Sequence, residues 1–233
     1  MNYPDSQFYE SAAIAKIIDK EGPFVRLISM WSGRCHVESR VKIKNKVLLD
    51  TRQDIHDVMR KICIENWVPP TVINKKRYDF LRDFKDELSP ALNAFIGYAC
   101  SQHSRFWWTF DDRAFAHRNT AEEAYRSLLR TRRFFDKSSD TYRFELGGFE
   151  CIREADLQPV PTAMYIHVPE DPPYTWEELK DHMAWFLNYH DEYVIFLSVA
   201  EDPPLRFVKW WTLNTVYKSS NIYMLKGDIT NKL

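Results

Sequence analysis

Apolar positions follow two rhythms along this chain of 233 residues, one of helical spacing and one of short continuous runs. Residues 8–20 place Ala13, Ile14, Ile17 and Ile18 on one helical face, and Glu21-Gly22-Pro23 ends that helix. Phe24–Trp31 predicts a strand followed by a Ser32-Gly33 turn, and Val47–Leu49 a short buried strand ending at Asp50. Ile55–Ile64 is amphipathic and helical, and Val68-Pro69-Pro70 interrupts it. Helices are predicted over Asn74–Asp86, Pro90–Ala99 and Thr120–Phe135, the last opened by a capping box of Thr120 and Glu123. Strands are predicted at Tyr142–Leu146, Phe149–Arg153 and Ala163–Val168. A helix over Trp176–Asn188 and a buried strand over Tyr193–Val199 follow, then terminal strands at Phe207–Tyr217 and Ile222–Leu225.

Strands and helices alternate at both ends of the chain, with a helical block between. That order predicts an α/β fold over residues 1–233, with a mostly parallel sheet, helices on both faces and a helical insertion at about 52–138. In such sheets ligands sit outside the carboxyl ends of the strands. The loops to watch follow Trp31, Leu49, Val168 and Val199.

Composition narrows the picture. With 45% hydrophobic residues the chain can build one sizeable core, and its formal charge of −1 neither demands nucleic acid nor suggests a mimic of it. Only six glycines occur, and only Gly147 and Gly148 stand together, so a glycine-rich cradle for a nucleotide is missing. Cys35, Cys63, Cys100 and Cys151 are scattered, which predicts free buried thiols in a reducing compartment and no metal site. The opening residues carry no apolar signal, and no run is long enough to span a bilayer, so a cytoplasmic location away from membranes is expected.

The block Trp67–Leu129 is the most specific stretch. It contains Trp67-Val68-Pro69-Pro70, then Gly97-Tyr98-Ala99-Cys100-Ser101, then a helix beginning Arg118-Asn119-Thr120-Ala121-Glu122-Glu123 and running through Arg126 to Leu129. In this order the segments resemble the middle of phage-type Dam-like adenine-specific DNA methyltransferases. The later segments around 149–170, 174–187 and 194–211 resemble that family's remaining strands and helix in sequence order. The resemblance implies a Rossmann-like S-adenosylmethionine (SAM) methyltransferase fold, a phage-infected bacterial cell as the setting, and double-stranded DNA as partner.

It also implies where a site would lie, and there the chain departs from the family. The family's glycine-rich first loop is replaced by Arg26-Leu27-Ile28-Ser29 with Gly33 alone, and its early G-S-K by Glu10-Ser11-Ala12. Asp50 matches the acid that would bind the SAM ribose; as a sequence feature it reads equally as a helix cap or turn aspartate. A literal Asp171-Pro172-Pro173-Tyr174 is present. In the family the aspartate and a proline carbonyl hold the adenine amino group, and the tyrosine stacks on the flipped base. Aligned by strand, however, His167 takes the aspartate's place and Glu170 the tyrosine's, and the tetrapeptide falls where prolines and Thr175 open a helix. A second Asp-Pro-Pro at Asp202–Pro204 shows the same tripeptide used in a turn.

Basic and aromatic residues concentrate at His103, Arg105, Trp107, Trp108, Arg113, His117, Arg118, Arg126, Arg130, Arg132 and Arg133. They read as a duplex-binding surface, or as a solvated helix face over core tryptophans, since Asp111, Asp112, Glu122 and Glu123 dilute their charge. Three functions follow as expectations. The first is a degenerate adenine methyltransferase, without cofactor, that binds DNA or a protein partner. The second is an active SAM-dependent enzyme using a displaced Asp-Pro-Pro-Tyr. The third is a structural or inhibitory phage protein that uses the fold as a platform.

Overall fold

The computed structural model describes residues 10–101, 106–111, 120–136, 141–169, 172–199, 209–214 and 219–226. The chain divides into two compact units, one of Arg52–Lys137 with Met1–Ser6, the other of Gln7–Thr51 with Ser138–Leu233.

The second unit carries one seven-stranded sheet of order β3-β2-β1-β4-β5-β7-β6. Its strands are β1 (Arg26–Met30), β2 (Asn45–Asp50), β3 (Tyr142–Leu146), β4 (Thr162–His167), β5 (Tyr193–Val199), β6 (Lys209–Asn214) and β7 (Ser219–Lys226). Strands β3, β2, β1, β4 and β5 run parallel, while β7 pairs antiparallel with both β5 and β6. This is the mostly parallel α/β sheet that the alternation of elements predicts, with the Rossmann-like character that the resemblance implies. The parallel strands β1, β4 and β5 are buried along their whole length, as expected for a sheet covered on both faces.

Alternate residues serve opposite faces. Ile28, Met30, Met164, Ile166, Ile195 and Leu197 form one core with Leu179, Met183 and Phe186 of helix α6 (Trp176–Tyr189). Leu27, Ala163, Tyr165, Val194 and Phe196 form the other with Ile14, Ala15 and Ile18 of α1 (Ser11–Glu21). The chain leaves β1 for β2 and β3 on one side and returns to β4 and β5 on the other. The order therefore reverses between β1 and β4, and the crevice outside the carboxyl ends of those two strands is where such a sheet receives ligands.

One predicted strand is absent. Phe149–Cys151 and Glu154–Leu157 are single 3₁₀ turns in place of a strand over Phe149–Arg153. The cause is local: Gly147 takes φ +142°, and the Glu150 carboxylate turns back to accept the Gly148 N–H at 2.7 Å. Below the turns, Asp156 accepts both terminal nitrogens of Arg143 at 3.0 and 2.6 Å and the Arg153 N–H at 2.9 Å.

The other unit is helical: α2 (Gln53–Cys63), α3 (Lys75–Asp83), α4 (Pro90–Ala99) and α5 (Thr120–Asp136). Pro90 begins α4, a position where a missing N–H costs nothing. Phe95, Ile96 and Ala94 of α4 and Ala124 and Leu128 of α5 are fully buried. Thr120, the expected cap, is already the first helical residue, and the position before it lies outside the described residues. All four cysteines are free thiols; Cys35, Cys63 and Cys100 are buried as expected, whereas Cys151 is partly exposed.

Candidate functional site

The β1–β4 crevice is lined by the loops that follow β1 and β4. Trp31 follows β1 directly and takes a positive φ of 54°, an uncommon conformation for an aromatic residue. Its indole is buried, and its Nε1 donates to Thr51 Oγ1, just past β2, at 3.2 Å. Gly33 comes next in the left-handed region (φ +51°), and its N–H donates to Asp50 Oδ2 at 2.8 Å. The two residues expected to hold a cofactor are thus brought together and bonded to each other. Asp50 fastens the loop after β1 to the end of β2.

The other wall is the entry to α6. Thr175 caps that helix: its hydroxyl accepts the Glu178 N–H at 3.3 Å, and Glu178 accepts the Thr175 N–H at 2.8 Å. Tyr174, just before the cap, lies across the crevice. Its ring sits 5.9 Å from Trp31, 5.7 Å from Phe149 and 5.2 Å from His182, and Phe149 stacks on His182 at 4.5 Å. The Tyr174 hydroxyl donates to Glu150 Oε2 at 2.9 Å, and burial with the Glu150 carboxylate pushes its pKa up to about 12. A Cβ placed on Gly148 would collide with the Tyr174 hydroxyl, so the missing side chain at Gly148 is what admits this ring.

Strand β4 runs through His167, and the Val168 N–H still bonds Ser198 at 3.0 Å. His167 is therefore the strand-end residue, as the alignment by strand has it, and is buried. Pro172, Pro173 and Tyr174 belong to the helix entry. Asp171 and Glu170 lie outside the described residues.

Beneath the loop lies a polar layer that the sequence did not disclose. Glu38 is 2% exposed, receives a hydrogen bond from Ser29 of β1, and has its pKa raised to about 7, chiefly by burial. His36 is pushed down to about 3 by burial and by the charges of Arg34 and Arg40. No residue spacing announces such a layer; the buried carboxyl becomes visible only once the loop is wound.

SAM, the group implied by the family resemblance, was tested against this geometry. A SAM site needs free backbone N–H groups in the first loop, an open acid at the end of β2 and room over β1 and β4. Here the Gly33 N–H donates to an Asp50 oxygen, and the Trp31 and Tyr174 rings lie 5.9 Å apart beside the same strand ends.

The basic and aromatic set divides in two. Trp107 belongs to the interior of the helical unit, its ring 5.2 Å from Tyr78 and its Nε1 donating to Asn93 Oδ1 at 2.5 Å. Trp108 is 55% exposed. Arg126, Arg130 and Arg133 project from one exposed face of α5, and Arg132 is partly covered. Arg105, Arg113, His117, Arg118 and His103 lie outside the described residues. Among the described residues no group of acids, histidines and cysteines is placed to hold a metal ion, and no helix is long and apolar enough to cross a membrane.

No protein-family model matches the chain, and no curated protein matches it. Among solved structures, the rRNA methyltransferase aviRa from Streptomyces viridochromogenes aligns over 95% of this chain and 86% of its own, at 10% identity and a TM-score of 0.47. The glycopeptide N-methyltransferase MtfA, solved with SAM, aligns over 98% of this chain and 72% of its own, at 7% identity and a TM-score of 0.34. Likenesses this distant concern the path of the chain and carry nothing about substrate.

Proposed function

We propose that this Rossmann-like α/β protein is a methyltransferase-type scaffold that acts by binding and has given up methyl transfer. The observation that carries the reading is the meeting of Trp31 and Tyr174, 5.9 Å apart, at the β1–β4 crevice, with the Gly33 N–H bonded to Asp50. The sequence departs from the Dam-like pattern at the same places: the first loop, the early lysine and the strand-end aspartate. Loss at three separate positions is what release from a catalytic requirement leaves behind.

Double-stranded DNA is the partner this reading favours. Exposed Arg126 and Arg130 stand one helical turn apart, and Trp108 offers an exposed ring in the same unit. The test is duplex binding across a salt series, together with methyl transfer from labelled SAM to adenine-containing duplex. The expected result is salt-sensitive binding, weakened in Arg126→Ala/Arg130→Ala, without methylation. Methylation by the purified protein, abolished by Asp171→Ala, would replace this reading with that of an active enzyme using its displaced tetrapeptide.

A protein platform is the second reading, supported by exposed apolar side chains on the helical unit: Val68, Val72, Phe80 and Phe84. It predicts no affinity for duplex even at low salt, where phosphate contacts are strongest.

A further inference from the structure

Helix α6 is fully used on one side and unmatched on the other. Leu179, Met183, Phe186 and Leu187 are buried in the sheet core. The opposite side presents Glu177, Asp181, Trp185 and Tyr189 to solvent. Trp185 and Tyr189 are each 46% exposed and their rings lie 6.1 Å apart. Aromatic pairs of this size on the outside of a helix are the residues that dominate protein interfaces. Exposed Glu178, Asp191 and Glu192 add to the negative charge of this face. A polyanion is repelled there, so the occupant must bring positive charge.

The chain carries a matching surface. Helix α5 buries Ala121, Ala124, Leu128 and Phe135 and exposes Arg126, Arg130 and Arg133. Their steps of four and three residues correspond to rises of about 6 and 4.5 Å, against about 6 and 6 Å from Glu177 to Asp181 to Trp185. Laid parallel, Arg126 meets Glu177, Arg130 meets Asp181, and the Arg133 guanidinium covers the Trp185 ring. Arg126 already pairs with Glu122 at 2.5 Å, but both are well exposed, and such a surface pair exchanges partners at little cost.

We infer that the outer face of α6 docks a second copy of this chain through the arginine face of that copy's α5. The contact is heterologous, since different surfaces meet, so it builds a chain of copies or a closed ring according to the rotation between them. It stands whether or not the β1–β4 crevice admits a cofactor. It draws on the same arginines as the proposed duplex contact, so the two partners compete.

Sedimentation velocity on the whole protein, from about 1 to about 100 μM at low salt, tests it. The expected result is association that grows with concentration, weakens with salt, and weakens at least about tenfold in Trp185→Ala and in Arg130→Glu. The doubly reversed protein, Asp181→Arg with Arg130→Glu, is expected to associate again. All three positions are exposed, so the fold is retained. A monomer throughout the range, association indifferent to these substitutions, or failure of the double reversal to restore it overturns the inference.

Discussion

Two aromatic groups in this chain are used in opposite ways. At the carboxyl edge of the sheet, Trp31, Phe149 and Tyr174 turn inward, tied by hydrogen bonds to Thr51 and Glu150. At the end of α3, Phe80 and the following Phe84 pack on one another at 4.8 Å yet remain exposed. The first group stands beside the strand ends where this kind of sheet receives a ligand. The second offers apolar area that the helical unit does not need for itself, since α3 buries only Tyr78. The difference shows that aromatic richness alone locates no site. What matters is whether neighbouring polar groups hold the rings down, as Glu150 and Thr51 do, or leave them to solvent.

The sharpest way to break the comparison is truncation on the inward side. Phe149→Ala removes a buried ring that contacts both Tyr174 and His182, and is expected to cost about 4 kcal/mol in urea denaturation. A cost below about 1 kcal/mol would mean the closure is loose.

The polar layer under the crevice gives the next effect. The Glu38 carboxyl titrates near 4.5 when unfolded and at about 7 in the fold. Between those values the folded chain holds a proton that the unfolded chain has lost, so this contribution falls as pH rises through the window, on the order of 3 kcal/mol in all. His36 acts in the other direction: neutral in the fold down to about 3, it costs stability as pH drops below 6.5. Glu38→Gln, measured in urea at pH 5 and pH 8, is expected to remove most of the alkaline loss and leave the acid limb in place.

Gly148→Ala follows, at about 2 kcal/mol, because the added methyl must displace the Tyr174 hydroxyl. It should also raise the exposure of Trp31, read as a red shift of its fluorescence. The smallest effect is expected on the outward side. Phe80→Ala should change stability by less than about 0.5 kcal/mol, and a larger loss would show that α3 rests on contacts it does not display.

Much of the sheet was legible because buried parallel strands are nearly continuous apolar runs. Tyr193–Val199 was read to the residue, and β4 within one residue at each end. Phe149–Arg153 was misread because an apolar run beside a strand looks like another strand; the preceding Gly147-Gly148 was the sign that the backbone turns instead. Of the predicted terminal strand over Phe207–Tyr217, only 209–214 is described, and it is β6. The candidate site was legible in part. Gly33 and Asp50 were singled out and do meet, but their bond to each other is a tertiary fact without a sequence pattern. Trp31 marks the strand end before a loop to watch, but a tryptophan ending a strand reads as ordinary core, and its positive φ appears only in the fold.

The proposed loss of the cofactor rests on Trp31 and Tyr174 meeting, 5.9 Å apart, at the β1–β4 crevice. Calorimetric titration of the folded protein with SAM addresses it most directly. The account predicts no binding heat at millimolar ligand. Micromolar binding that disappears in Asp50→Ala would contradict it, since Asp50 would then be holding a cofactor in a crevice that opens to receive it.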